Sequence, residues 1–264
     1  MACWQSQVRF DQRIAELVYL DWKMDVKEED ILGDAVADHW YYRAKTAAML
    51  RVLGKSTYPT VFDVGAGSGV FSKALLADGR AEEAFCIDPA YPEDRKTYHE
   101  GRGLNFLRSP PSAKADLVLM MDVLEHVEDD DALLATYVDQ LKPGGKVFVT
   151  VPAFQSLWSG HDVFLEHYRR YRRTEVDDLL GRAGLKVRFS CYFYGSLFPI
   201  AYLKRSFDRM RLDQGAVEPK SDLSLAPKPL NELLVYFHLA ELAVMFPWNK
   251  FAGLSVVCLG EKAR

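Results

Sequence analysis

The sequence has few cysteines and no excess of basic residues. Its four cysteines, at positions 3, 86, 191 and 258 of 264, form no C-x-x-C pair. This scatter excludes a cysteine-rich zinc module and favours a reducing compartment, so we expect a cytoplasmic protein. With 33 basic and 37 acidic residues, the formal net charge of −4 gives no general attraction to a nucleic-acid backbone. We therefore expect no nucleic-acid partner.

Long apolar runs are also missing. The most apolar stretch, residues 233–248, is interrupted by polar residues and by Pro247, and it is shorter than the roughly 20 residues that cross a bilayer. The first thirteen residues carry charges before any apolar run develops, which predicts that they are not a signal peptide. We expect no transmembrane segment.

The remaining composition is that of a globular protein, with 49% hydrophobic and 27% charged residues. From residue 58 onward, short apolar runs that end in glycine or aspartate alternate with helical patterns. Such alternation is typical of a parallel sheet covered by helices on both faces. We predict an α/β, Rossmann-like, doubly wound fold with a mainly parallel, seven-stranded sheet.

The same pattern divides the chain into three parts. Residues 1–57 have apolar residues at helical spacing and are predicted to form an N-terminal helical cap. Residues 58–191 and 253–264 form the predicted core, and residues 192–252 are an aromatic-rich helical insert before the last strand. The insert has four open interpretations, namely core helices, a lid over the site, a homodimer face, or a surface for peripheral membrane contact.

A glycine-rich loop follows the first predicted strand, in the segment DVGAGSG at residues 63–69. Glycines let the backbone turn tightly and let a ligand approach the main-chain N–H groups. The G-x-G-x-G spacing differs from the G-x-G-x-x-G fingerprint of dinucleotide-binding folds. Asp63 precedes the loop, where a carboxylate attracts an ammonium group, and Asp88 ends the next strand, where it can accept both hydroxyls of a ribose.

These motifs resemble those of the class I S-adenosylmethionine-dependent methyltransferases over roughly residues 58–190, from VFDVGAGSG through DLVLMMDVLEHV to LKPGGKVFVTVPA. The resemblance implies S-adenosylmethionine as the cofactor, with Asp63 and the Gly65–Gly69 backbone holding its methionine part and Asp88 its ribose. The implied cofactor-binding residues are Asp63, Gly65, Ala66, Gly67, Gly69, Asp88, Pro89, Asp122 and Val123. The segment LRSPPSAK departs from the usual pattern beyond the third strand, so the adenine contacts stay unassigned.

The segment DVLEH at residues 122–126 follows a buried strand and has three interpretations. In the first, Asp122 caps a helix and His126 is a packed core residue. In the second, the segment forms the floor of a substrate pocket that includes Glu125. In the third, it resembles the E-x-x-E-H metal ligands of magnesium-assisted methyltransferases, with His167 as a further ligand; Mg²⁺ is the less favoured alternative because it prefers oxygen ligands.

The segment FQSLWSGHDVFLEHYRRYRRTE, residues 154–175, follows a predicted strand and overhangs the same edge of the sheet. Its histidines and arginines can orient an acceptor, although a solvated surface loop is the alternative. The candidate catalytic residues are His167, His161 and His126. The candidate substrate-binding residues are Glu125, Trp158, Asp162, Arg169, Arg170 and Tyr171.

We therefore predict an enzyme that transfers a methyl group from S-adenosylmethionine to the oxygen or nitrogen of a small-molecule acceptor. The arginines beside the pocket favour an anionic acceptor of glycan, lipid or secondary-metabolite type. The alternatives are an NAD(P)-dependent oxidoreductase and a non-catalytic protein that binds S-adenosylmethionine.

Overall fold

The computed structural model describes residues 33–212, 226–246 and 248–264. Residues 1–32 of the predicted cap and 213–225 of the predicted insert lie outside the described residues. A short 3-10 helix, Gly33–Asp38, leads into α1, Trp40–Leu53, which is the described helical part of the cap.

Within the described residues, eight strands form one sheet in the order β3-β4-β2-β1-β5-β6-β8-β7. Their bounds are β1 Tyr58–Val64, β2 Ala81–Ile87, β3 Arg95–His99, β4 Arg102–Leu107, β5 Ala115–Met121, β6 Leu141–Pro152, β7 Leu185–Phe193 and β8 Ser255–Lys262. The strands from β4 through β2, β1 and β5 to β6 pair in parallel, whereas β3 pairs antiparallel with β4, and β8 with both β6 and β7. The predicted Rossmann-like fold class is confirmed, but the sheet has eight strands instead of seven.

The additional strand is β3, at the edge of the sheet. Its sequence, RKTYH, has none of the apolar alternation that predicts a half-buried strand, and its side chains are exposed or half-buried. It forms because β4 offers it an unpaired edge, to which it pairs from Arg95 opposite Phe106 to His99 opposite Arg102. Charged residues suit such an edge because they oppose pairing with another chain.

In the part of the chain that the structure describes, six further α-helices accompany the sheet, namely α2 Val70–Ala77, α3 Asp130–Asp139, α4 Gly160–Phe164, α5 Arg173–Arg182, α6 Phe198–Leu212 and α7 Lys228–Val244. Apolar side chains of α3 and α5 pack on one face of the sheet. Those of α1, α2 and α7 pack on the other face. Both faces are thus buried, which explains the nearly continuous apolar runs of β1 and β5.

Strand β1 lies between β2 and β5. From β1 the chain continues to β2, toward one edge of the sheet, whereas from β5 it continues to β6, toward the other edge. Open α/β sheets bind ligands in the crevice that such a reversal leaves beyond the carboxyl ends of the strands. Strand β7 runs to Phe193, two residues into the predicted insert, and α6 and α7 follow before β8. Among the described residues, no helix is both long and apolar enough to cross a membrane.

Candidate functional site

A cavity of about 350 Å³ lies at the carboxyl ends of β1, β5 and β6. Its walls come from the glycine loop, from α1, from the turn after β5, from residues 161–170 and from α6. Elements that are distant in sequence therefore meet at the edge where the fold predicts a ligand. The cavity is within the usual size range of small-molecule sites.

The glycine loop forms one wall of this cavity through Gly65, Ala66 and Ser68. Gly65, Gly67 and Gly69 have φ angles of 64°, 46° and 69°, a left-handed backbone that favours glycine. A Cβ atom at Gly69 would also lie 2.9 Å from the Sγ atom of Cys86. The loop turns tightly into α2, and its backbone borders the cavity.

Asp63 lies at the end of β1, just before the loop, and is almost fully buried. Its Oδ2 accepts hydrogen bonds from the backbone N–H and the hydroxyl of Ser72, at 3.3 and 2.8 Å. Its Oδ1 is buried and has no hydrogen-bond partner among the described residues. Burial raises the pKa of Asp63 to about 7, so the unfilled acceptor position favours a cationic donor.

Asp88 ends β2 and faces the same loop. Its carboxylate accepts hydrogen bonds from the backbone N–H groups of Ala90, at 2.9 Å, and Gly67, at 3.4 Å. Burial raises its pKa. Pro89 follows it half-buried, and Val123 is a core residue. Neither lines the cavity, and nor do Asp63, Asp88, Gly67 and Gly69, which lie directly behind the loop residues that do. The orphan oxygen of Asp63, the glycine turn and Asp88 together fit the methionine and ribose parts of S-adenosylmethionine.

Asp122 lines the cavity after β5, with a positive φ of 59°. Its Oδ2 accepts a hydrogen bond from the Tyr41 hydroxyl at 3.0 Å and pairs with the ammonium group of Lys45. Its Oδ1 accepts a hydrogen bond from the Thr150 hydroxyl at 3.0 Å. Burial alone would raise the pKa of Asp122, but the charge and hydrogen bond of Lys45 outweigh it and lower the pKa. Asp122 therefore does not cap a helix, because its carboxylate is engaged by side chains from α1 and β6.

The three candidate catalytic histidines all line the cavity. The ring centroid of His167 lies 4.5 Å from that of His126 and 6.3 Å from that of His161. Burial lowers the pKa of His126 to about 3, so this imidazole is neutral. The Nδ1 atom of His167 lies 2.9 Å from the Oδ1 atom of Asp162, which fixes the orientation of the ring.

Asp162 acts through its neighbours and does not itself line the cavity. Its buried carboxylate accepts hydrogen bonds from the Ser159 backbone at 2.8 Å and from Arg170 Nε at 2.6 Å, in addition to the contact with His167. Burial would raise the pKa of Asp162, but the hydrogen bond to His167 and the charge of Arg170 lower it below its usual range. The predicted substrate contact of Asp162 is thus replaced by a positioning contact to His167 and Arg170, both of which line the cavity.

Arg169 and Tyr171 face away from the cavity, contrary to the expectation that they contact the acceptor. Arg169 donates to the backbone oxygen of Glu128 at 2.6 Å and pairs with Asp130 at 3.1 Å. Tyr171 is a core residue whose hydroxyl donates to Asp130 Oδ2 at 2.7 Å. Consecutive residues of an extended segment point to opposite sides, so only Arg170 of this run reaches the cavity.

Trp158 is also absent from the cavity wall; it follows the 3-10 helix Gln155–Leu157 and is half-buried. Several residues outside the predicted set form the wall or support it. Tyr41 and Trp40 of α1, and Lys204 and Arg205 of α6, line the cavity, and Lys45 holds Asp122. The signal available for Lys45 was its position on the apolar face of α1, beside Ala44, Ala48 and Met49.

Glu125, His126 and His167 form a cluster that could hold a metal ion, with one ligand atom of each within 4.8 Å of the others. Burial raises the pKa of Glu125 well above its usual value, and the charge of Asp122 adds to this effect. Glu125 Oε2 and His126 Nδ1 are buried without a hydrogen-bond partner among the described residues. Two imidazoles and one carboxylate fit Zn²⁺ or Mn²⁺ better than Mg²⁺, while Lys45 already engages Asp122.

Comparison with curated proteins found relatives over part of the chain. The ubiquinone biosynthesis O-methyltransferase of Caulobacter vibrioides is 32% identical over 99 residues, which are 34% of this chain and 39% of that protein. The protein of the same name from Coxiella burnetii is 28% identical over 96 residues, or 33% of this chain and 41% of that protein. The chain thus matches about two fifths of the length of these relatives.

Solved structures resemble the fold over most of the chain. A methyltransferase in complex with the Trm112 methyltransferase activator of Haloferax volcanii has a TM-score of 0.53 at 18% identity, covering 87% of this chain and 92% of that one. A SAM-dependent methyltransferase from Archaeoglobus fulgidus has a TM-score of 0.50 at 14% identity, covering 90% and 98%.

A family model described as a methyltransferase domain matches residues 37–188, which are more than half of the chain. The match spans α1, the glycine loop, Asp88, the turn after β5 and the histidine segment. The chain therefore belongs to the methyltransferase domain family, and its fold and motifs are those of a class I S-adenosylmethionine-dependent methyltransferase.

Proposed function

We propose that this protein transfers the methyl group of S-adenosylmethionine to an oxygen atom of a small, anionic acceptor. The observation that carries the proposal is that the glycine loop, three histidines and Arg170 line one cavity. Donor and acceptor can therefore meet within a single volume of about 350 Å³.

The donor end is formed by the glycine loop and the two carboxylates beside it. The unpartnered Oδ1 of Asp63 receives the ammonium group of the donor, and Asp88 receives the ribose hydroxyls. Asp122 lies on the cavity wall nearby, where its carboxylate, although paired with Lys45, can accept a hydrogen bond from the donor. These roles of Asp63, Asp88 and Asp122 are part of the proposal.

The acceptor end carries positive charge. Arg170, Lys204 and Arg205 line the cavity. Burial lowers the pKa of Arg170, and the positive charge of Arg205 lowers it further. Arg170 pairs with Asp162 at 2.6 Å, and the three basic side chains come to the wall from two different segments. A carboxylate or phosphate of the acceptor is the complementary group.

The apolar part of the wall adds a second property of the acceptor. Leu197, Ile200 and Leu254 line the cavity together with Trp40 and Phe71. A ligand that fills this volume places apolar surface against these side chains and its negative charge against the cations of α6. We infer an amphipathic acceptor with one anionic group.

The chemistry needs alignment more than activation. A sulfonium methyl group is already activated, so the chain has to hold the acceptor oxygen in line with the S–CH₃ bond. His167 can take the proton of an acceptor hydroxyl, because it lines the cavity and its Nδ1 is held by Asp162, which leaves Nε2 as the proton-accepting nitrogen. The neutral His126 packs against this ring and limits its movement.

An oxygen acceptor is favoured over nitrogen because the curated relatives are named as O-methyltransferases. A reducing, cytoplasmic location is favoured by the three buried free thiols, Cys86, Cys191 and Cys258. The match to the methyltransferase domain family argues against the oxidoreductase alternative.

Replacement His167→Ala should leave donor binding unchanged and lower turnover by a factor of about 10² to 10⁴, the usual contribution of a positioned proton acceptor. Titration calorimetry with S-adenosylmethionine, S-adenosylhomocysteine and NAD measures the first property, and methyl transfer to hydroxylated aryl acids measures the second. The control is His99→Ala on β3, at the far edge of the sheet. Binding of NAD with no binding of S-adenosylmethionine would contradict the proposed function, and equal turnover of both variants would remove His167 from the mechanism.

A second candidate function for the same cluster is metal binding. The buried, unpartnered Glu125 Oε2 and His126 Nδ1 favour it, because unpaired polar atoms of this kind are costly without a ligand. A bound Zn²⁺ or Mn²⁺ would supply Lewis-acid chemistry at the acceptor oxygen. Glu125, His126 and His167 would hold it, with Asp162 orienting His167.

If the cluster binds metal, purified protein should contain about one equivalent of Zn²⁺ or Mn²⁺ by mass spectrometry of the elements. Chelation should then lower the melting temperature, since metal binding stabilises only the folded state. The variant His126→Ala should lose the metal, whereas His99→Ala should retain it. A metal-free protein that also gives no heat on titration with Zn²⁺ or Mn²⁺ would exclude this candidate and leave the proton-acceptor role of His167.

A further inference from the structure

The surface of the insert is unusually apolar. Of the sixteen large apolar or aromatic side chains that are exposed among the described residues, thirteen lie between residues 200 and 251. Single exposed apolar residues are ordinary, but such a concentration marks an interaction surface. The concentration is greatest on α7 and the segment that follows it.

Helix α7 is apolar on two opposite faces. Its inner face packs on α1, where Trp40 stacks on His238 with ring centroids 5.2 Å apart and donates its backbone N–H to Asn231 at 2.8 Å. Its outer face carries Leu230, Leu233 and Phe237 at helical spacing, exposed by 46%, 64% and 47%. A helix that faced water on this side would carry polar residues there.

Aromatic residues continue this outer face beyond the helix. Tyr236 is 68% exposed on α7, and Trp248 and Phe251 after it are 78% and 87% exposed. We define the α7 surface as these three residues with Leu230, Leu233, Phe237 and Val244. Aromatic rings of this kind are enriched where proteins meet the interface of a bilayer.

The charges around the α7 surface have one sign. Lys228 and Lys250 are exposed at its two ends, and the ammonium group of Lys250 also donates to the backbone oxygen of Ser190. The acidic residues of α7 are engaged elsewhere, since Glu232 pairs with Arg43 at 2.5 Å and the buried Glu241 accepts a hydrogen bond from the backbone of Gly195 at 2.6 Å. The basic ends are complementary to an anionic surface, whereas a second copy of the same face would bring like charges together.

We propose that the α7 surface docks on the headgroup region of an anionic lipid bilayer, with α7 lying in the plane of the interface. The helix has 17 residues, about 25 Å, and carries exposed apolar side chains from Leu230 to Val244, which suits lying on a membrane. Docking buries the leucine and aromatic side chains among acyl chains and places the two lysines at the phosphates.

This docking also gives the cavity a route to its acceptor. Ile200 of α6 lines the cavity and is 68% exposed, so it lies at the mouth, and Leu203 and Phe207 of the same helix are exposed by more than 60%. The other wall of the cavity, Trp40 and Tyr41, is part of α1, on which α7 packs. An amphipathic acceptor that resides in the bilayer could then enter without crossing water.

Vesicle co-sedimentation of the full chain tests the proposal. We expect binding to phosphatidylcholine vesicles that contain about one third phosphatidylglycerol, weak binding to phosphatidylcholine alone, and weaker binding as salt is added. Tyr236→Glu should reduce the partition coefficient at least about tenfold, because it places a carboxylate in the interface. The matched control is Tyr98→Glu on β3, where the tyrosine is 69% exposed, compared with 68% for Tyr236.

Two results would overturn the proposal. One is absence of binding to anionic vesicles at low salt, or equal binding by both glutamate variants. The other is a dimer in light scattering that Tyr236→Glu, and not Tyr98→Glu, converts to monomer, which would assign the surface to a second copy of the chain. Calorimetry with S-adenosylmethionine on the same samples separates either failure from a failure of the proposed methyl transfer, because donor binding does not require the α7 surface.

Discussion

Lys45→Met should lower the free energy of unfolding by about 3 kcal/mol or more at neutral pH, because it leaves Asp122 without its counter-ion. The Lys45 side chain is 1% exposed and that of Asp122 is 26% exposed, the latter on the cavity wall. Water in the cavity solvates part of the carboxylate, so we expect the lower end of the usual 3–5 kcal/mol for a broken buried pair. Thermal unfolding should shift by roughly 6–12 °C for a chain of this size.

The pH dependence of this loss has a definite sign. In the wild type, Lys45 lowers the pKa of Asp122, so the pair contributes stability above the ordinary aspartate pKa of 3.8 and loses it as the pH falls below that value. In the Lys45→Met protein, burial is no longer outweighed, and the pKa of Asp122 rises. The variant carboxyl is then protonated in mild acid, and the difference in unfolding free energy between the two proteins should shrink as the pH falls from about 7 to about 4.

A double-mutant cycle separates the ion pair from simple packing. Asp122→Asn in the Lys45→Met background removes the unpaired charge and should recover at least half of the lost stability. Lys55→Met, at an exposed position after α1, is the matched control and should change stability by less than about 0.5 kcal/mol. If the double variant were as unstable as the sum of the single variants, Lys45 would be acting through packing and not through Asp122.

Lys45 also illustrates what a single sequence can and cannot reveal about this site. The pattern of α1 predicted a helix, but the lysine among alanines on its apolar face, which is a sign of a buried charge, was not among the predicted site residues. The partner, Asp122, lies 77 residues later at the end of another element. Pairings across such a distance depend on the tertiary arrangement, which periodicity does not encode.

The central strands were predictable because burial on both faces requires continuous apolar runs, as in β1 and β5. The edge strand β3 was not predictable from such a run. It needs only the free edge of β4 to pair with, and a segment of charged residues can pair there as well as an apolar one. The glycine loop was predictable because the turn needs positive φ angles at Gly65, Gly67 and Gly69.

The histidine segment was predictable in part. Its position after β6 indicated that it lies over the crevice, and His161, His167 and Arg170 do line the cavity. The direction of each neighbouring side chain depends on local turns, which place Arg169 and Asp162 elsewhere. The sequence therefore indicated the right segment, whereas the structure is needed to distinguish the residues that line the cavity from those that orient them.

Donor affinity should fall roughly fifty-fold from about pH 7 to about pH 5, because Asp63 must be ionised to hold an ammonium group. Burial raises the pKa of Asp63 to about 7 in the ligand-free protein, so below that pH donor binding must first expel a proton. Calorimetry in two buffers of different ionisation enthalpy measures both the affinity and the proton release. Asp63→Asn should bind the donor weakly at every pH, with little pH dependence, whereas a steep dependence retained in Asp63→Asn would assign the titration to another group.

The stability of the ligand-free protein should show the opposite trend, which provides an independent check. A carboxyl whose pKa is about 7 when folded and 3.8 when unfolded makes the protein less stable as the pH rises between these values, by about 4 kcal/mol in total. Above about pH 7 this contribution is constant. Denaturant unfolding of the wild type and of Asp63→Asn should therefore differ in slope only between pH 3.8 and about 7. A saturating concentration of S-adenosylmethionine should abolish the wild-type slope between pH 3.8 and about 7, since the carboxylate is then ionised in both the donor-bound and the unfolded protein.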